Sequence, residues 1–166
     1  VSAEQWKPWA ARIAVVVAVV VVYVALSRLW TFAHTDNPAL VEDDTIVRVA
    51  SSACAQMRDA AAAAAVPPTA PIPQRVGAIN AENDAVTQLV ATMNGLGQAR
   101  LQADQPASQW LEDWGRLVTA RDAYARALAA DRPKPLVLPT IDGKGLVDRL
   151  NNVGLNCRVP LVMLAP

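Results

Sequence analysis

Histidine and phenylalanine each occur once in the 166 residues, tyrosine occurs twice, and there are only two cysteines. Each scarcity closes off a class of chemistry. With His34 as the sole imidazole, neither an H-E-x-x-H zinc site nor a His/Cys cluster can be written. Ser51 and Ser52 have no histidine near them in sequence to act as a base, and no nucleophile elbow is present. Covalent haem attachment needs C-x-x-C-H, which does not occur. The run Ile141-Asp142-Gly143-Lys144-Gly145 satisfies neither glycine-rich phosphate-binding pattern and reads as a turn. Glu42, Asp43 and Asp44 lack the spacing of a calcium loop and read as the capped start of a helix. No catalytic, cofactor-binding or metal-binding residue is therefore expected, and the chain is read as not an enzyme.

Charge of one sign is also missing. Fifteen basic residues balance fifteen acidic ones, and from residue 34 onward the count is twelve against fourteen. Nucleic-acid binding needs concentrated positive charge, so that partner is excluded.

What the sequence does have is one long apolar run. Residues 13–26 carry no charge, and from Trp9 to Phe32 the stretch counts 24 residues, about 34 Å as a helix against a hydrocarbon core of roughly 30 Å. Trp6, Trp9, Arg12, Arg28 and Trp30 flank it where membrane-interface anchors belong. A cleavable signal peptide is the rival assignment, with Thr31-Phe32-Ala33 as its exit, but Arg28 and Trp30 sit badly before a cleavage site. The expectation is one transmembrane helix over 9–33 after a short cytoplasmic segment, 1–8. Lys7 and Arg12 would keep the N-terminus in the cytoplasm, with the remainder on the periplasmic or extracellular side.

Beyond that segment, proline and glycine punctuate three helical patterns. Pro38 biases Asn37 away from helical geometry. A helix capped by Asp43 or Asp44 should then run to about residue 65, with Ile46, Ala50, Ala53, Met57, Ala60 or Ala61, and Ala64 inward, until Pro67-Pro68 stops it. Residues 66–73 are expected to form a stiff, partly polyproline II corner. A second helix is predicted over 74–96 on the seam Val76, Ile79, Asn83, Val86, Val90 and Met93. The asparagine on that seam can set register only if its amide is satisfied. A third, from Pro106 to about residue 130, carries Trp110, Trp114, Leu117, Arg121, Tyr124 and Leu128 on one face. Its Arg121 must either pair with a carboxylate or face a partner. Residues 34–132 are thus expected to form a small extracytoplasmic helical bundle.

The last part, 133–166, is rich in proline and glycine and is expected to be irregular, apart from about two helical turns over 146–153 closed by Gly154. A Cys54–Cys157 disulfide, if formed, would tie this segment to the first bundle helix. The fold class expected is mainly α: one transmembrane helix, a helical bundle and an irregular Pro/Gly-rich C-terminal segment. The function expected is a non-catalytic accessory or structural subunit of a membrane protein complex, contacting other integral membrane subunits and lipid. Trp110, Trp114, Arg121, Leu161, Val162, Met163 and Leu164 would be its partner interface. The alternative is a freestanding membrane-anchored module that binds an extracytoplasmic ligand or peptide.

Overall fold

The structure is a computed structural model and describes residues 16–27, 40–132 and 134–165. The chain divides into two units, Val1–Pro38 and Ala39–Pro166. In the first, residues 16–27 form a helix, α1, whose valines together with Tyr23 and Leu26 are exposed. Among the described residues no helix is long and apolar enough to cross a membrane.

This corrects the expected transmembrane span over 9–33. The single-pass topology, the sidedness of the two termini and both membrane-based functional readings were derived from that span and go with it. Trp6, Trp9, Arg12, Arg28 and Trp30, assigned as interface anchors, lie outside the described residues, as does His34.

The second unit is mainly α-helical. Its elements are α2 (Asp44–Ala64), α3 (Ile72–Asn94), α4 (Gln98–Ala103), α5 (Gln105–Ala129), a hairpin of β1 (Thr140–Ile141) and β2 (Lys144–Gly145), α6 (Leu146–Asn151) and a 3-10 turn (Leu161–Met163). Asp43 starts α2 as its cap: Oδ1 accepts the Thr45 and Ile46 amides at 2.8 and 3.1 Å. These are two of the amides that the helix leaves without an internal acceptor. After the corner at 65–71, Pro73 falls in the first turn of α3, where its missing N–H costs nothing. Gly97 adopts φ 91° between α3 and α4, and Asp104 caps α5 by accepting the Ala107 amide at 3.2 Å.

The central helix is α3, which packs on α2 along one side and on α5 along the other. Ile46, Ala50, Met57, Val86, Leu89, Met93, Trp110, Trp114 and Leu117 fill the space between them. Trp110 and Trp114 meet edge to face, ring centroids 6.0 Å apart at 84°. That geometry suits the ring quadrupoles, so the pair contributes by contact as well as by area.

The hairpin turns on Asp142 and Gly143, both at positive φ (51° and 75°), the conformation that two-residue hairpin loops require. It leads into α6, whose Leu146 and Leu150 are buried against the bundle. Gly154, at φ 81°, reverses the chain next to Leu40, and the neighbouring Val153 carbonyl accepts the Val41 amide at 3.0 Å. A Cβ at 154 would lie 3.2 Å from Leu40 Cδ2. Gly154→Ala is therefore expected to cost about 1–2 kcal/mol in urea unfolding, combining a left-handed residue with a tight contact. An unchanged midpoint would mean that this turn is not held as described.

Candidate functional site

The most densely connected polar site lies where α3, α5 and the C-terminal segment meet. Arg121 on α5 is fully buried, and Glu82 and Asn83 on α3 are nearly so. Its Nη2 donates to Glu82 Oε2, its Nε to Asn83 Oδ1 at 2.8 Å, and its Nη1 to the Met163 carbonyl. Asn83 in turn donates through Nδ2 to Asp122 Oδ1 at 2.6 Å. A guanidinium has no acceptor and three edges to satisfy, and here each edge has a separate acceptor. Register between α3 and α5 is set by this cluster, because a shift of either helix by one residue would strand a buried charge.

Burial raises the Glu82 carboxyl above its ordinary value, and the charge and hydrogen bond of Arg121 draw it part of the way back. Burial likewise lowers Arg121, opposed by Glu82 and then by Asp122. Asp43 moves the other way, lowered chiefly by the hydrogen bond from the Ile46 amide, with burial opposing it.

The signs give a pH prediction. A carboxyl raised in the folded state takes up its proton more readily there. Its contribution to stability is complete below pH 4.5 and is lost as pH rises through the raised value. Asp43 contributes above pH 3.8 and loses that contribution as pH falls through its lowered value. Urea midpoints measured from pH 3 to 7 should show the first slope vanish in Glu82→Gln and the second in Asp43→Asn. Unchanged slopes in both variants would contradict the assignment.

A second buried carboxylate, Asp113 on α5, is shared by two arginines. Oδ1 accepts from Arg116 Nη1 at 2.5 Å and Oδ2 from Arg149 Nε on α6 at 2.7 Å. Arg149 Nη1 also lies 3.6 Å from Asp142 in the hairpin. This carboxylate fixes α6 and the hairpin onto α5.

The third feature is the disulfide between Cys54 on α2 and Cys157, both fully buried and separated by 103 positions in sequence. Arg58, one turn after Cys54, donates from Nη1 to the Asn156 carbonyl at 3.1 Å.

A cleft of about 810 Å³ is lined by Leu40, Glu42, Asp43, Arg100, Ala103, Asp104, Gln105 and Pro106. Two of its three carboxylates, Asp43 and Asp104, already have partners. Asp43 caps α2, and Asp104 Oδ2 accepts the Glu42 and Asp43 amides at 3.0 and 3.1 Å. Arg100 Nη1 lies 3.9 Å from Asp43. Among the described residues there is no group of three or more His, Cys, Asp or Glu side chains placed to hold a metal ion.

Of the residues assigned from sequence to a partner interface, Trp110, Trp114, Arg121 and Met163 are buried in the domain's own core. Leu161 is 82% exposed, Val162 lies at the edge of exposure at 37%, and Leu164 is partly buried. Glu82, Asp104, Arg58 and Arg149 were not singled out from sequence. The position of Glu82 could have been, since it falls three residues after Ile79 and four before Val86 on the α3 seam. The chain matches no family model, no curated protein and no solved structure.

Proposed function

We propose that residues 39–166 work as a non-catalytic protein-binding module, a disulfide-closed helical body that offers surface to a protein partner and carries out no reaction. The observation that supports this reading is the commitment of the buried ionisable groups. Glu82, Arg121 and Asp113 are each bonded to a group on another element, Glu82 to Arg121, Arg121 to Asn83 and the Met163 carbonyl, and Asp113 to Arg149. Groups held in that way are poor proton carriers and poor nucleophiles, because any change of charge would strand a buried partner.

The surface offers apolar side chains on a segment tied firmly to the bundle, with Leu161 and Val137 the most exposed of the C-terminal region. Anchors on a preordered segment bind with less loss of side-chain and loop freedom. The near balance of charge gives no electrostatic footprint for nucleic acid.

The test is in-cell crosslinking in the native source. The full chain should give a discrete protein adduct that is lost in Leu161→Asp/Val162→Asp while the melting temperature is kept. An adduct that survives this change, or no adduct in the unaltered chain, would overturn the reading.

A further inference from the structure

Residues 152–164 follow the end of α6 and contribute almost no regular structure of their own. Their internal backbone hydrogen bonds are confined to the 3-10 turn, Met163 to Pro160 and Leu164 to Leu161, each at 3.0 Å. Leu155, Cys157, Val159 and Met163 of the segment are nonetheless buried. Its position is set by ties to other elements. Val153 receives the Val41 amide, Asn156 receives Arg58 from α2, and Val159 donates its amide to Asn151 Oδ1 at 2.9 Å. Met163 receives Arg121 from α5. One tie is covalent, the Cys54–Cys157 bond, and it lies between the noncovalent ones.

This arrangement has two mechanical consequences. Thiol attack on a disulfide requires direct access to a sulfur, and both cysteines are fully buried, so the segment must lift before the bond can be reduced. Once the bond is broken, four hydrogen bonds, two of them from arginines, and four buried side chains resist lifting, whereas α2 and α5 keep their packing on α3.

We infer that residues 152–164 form a redox-gated strap: clasped over α2 and α5 while Cys54 and Cys157 are joined, and released from an otherwise intact bundle when a dithiol reduces them. The chemistry balances in two exchanges. One thiolate of the dithiol attacks a sulfur of the pair, breaking the protein disulfide and forming a mixed disulfide as the other cysteine leaves and takes a proton. The second thiol of the reductant then closes on the first, releasing the remaining cysteine as a thiol. The reductant gives up two electrons and becomes a disulfide, and the protein gains two thiols. Release frees Cys54 and uncovers the α2 face that carries it and Ala50, one turn apart.

Arg58 tests the gate because it ties the strap next to the disulfide yet lies outside the core clusters. The full chain is treated with dithiothreitol, and thiol appearance is trapped by alkylation. The unaltered protein should reduce at least about 100-fold more slowly than a disulfide in an unstructured peptide, and Arg58→Ala should reduce about fivefold faster than the unaltered protein.

Hydrogen exchange on the reduced protein supplies the second readout. Protection should fall in 152–164 and persist in α3 and α5. Loss of protection throughout the bundle on reduction, full retention of it in 152–164, or equal reduction rates for Arg58→Ala and the unaltered chain would each overturn the inference.

Discussion

Replacing Arg121 with methionine is expected to lower the unfolding free energy by about 3–5 kcal/mol, the usual cost of leaving one member of a buried ion pair without its partner. Three acceptors lose their donor at once. Glu82 keeps its burial without its counter-charge, Asn83 Oδ1 loses the Nε donor, and the Met163 carbonyl loses its tie to α5. For a domain of this size, with total stability on the order of 5–15 kcal/mol, such a loss is a large share of the whole.

The double variant Arg121→Met/Glu82→Met should recover much of the deficit, since two apolar side chains of similar length remove the stranded charge. Urea unfolding of the two single variants and the double variant closes the cycle. A single-variant loss below about 1 kcal/mol would mean that the cluster is more hydrated than its burial implies.

Removing the disulfide by Cys54→Ala/Cys157→Ala is expected to cost a comparable amount, about 3–5 kcal/mol for a closed loop of this length. The physical origin is the unfolded chain, which loses many open conformations when positions 103 apart in sequence are held together. The bundle should survive, because the Trp110 and Trp114 core does not depend on the bond, while its melting temperature falls by roughly ten degrees or more. Far-ultraviolet circular dichroism during a thermal ramp measures both effects. A variant that has no helical signal at low temperature would show that the disulfide is needed to form the bundle and does more than close it.

The helices were largely legible in the sequence, and the reasons are local. Asp43 before an apolar run, the proline pair after the alanine tail of α2, and Pro106 at the start of the tryptophan seam are signals carried by a few adjacent residues. The observed limits of α2, α3 and α5 lie within about two positions of those read from them. Asn83 was visible as a polar residue on an apolar seam, and the condition that its amide be satisfied is met by Arg121 and Asp122.

The partners of that seam were harder to read. Glu82 stands at a seam position of α3, but nothing local tells which arginine it will meet, 39 positions later in the chain. The pairing of Asp113 with Arg149 across 36 positions is hidden for the same reason, whereas Arg116 lies one helical turn from Asp113, a spacing at which helical side chains meet.

Trp110 and Trp114 show how composition can mislead. Tryptophan is enriched both in binding hot spots and in small cores, and only the third dimension decides between them. Here both rings are buried in one core cluster with side chains of α2, α3 and α6. The apolar N-terminal run misled in a different way. Hydropathy and flanking aromatics favoured a span of 24 residues, of which the described residues cover 16–27, and among the described residues no helix is long and apolar enough to cross a membrane.

The closure of the bundle by its own C-terminal segment underlies the stability predictions, the strap and the binding surface alike. Its most direct test is a thiol count on the non-reduced protein, purified from its native source, denatured and treated with an alkylating reagent, followed by peptide mapping. The account predicts no free thiol and recovery of the peptides bearing Cys54 and Cys157 as one cross-linked species from a single chain. Two free thiols, or a cross-link joining two separate chains, would contradict it.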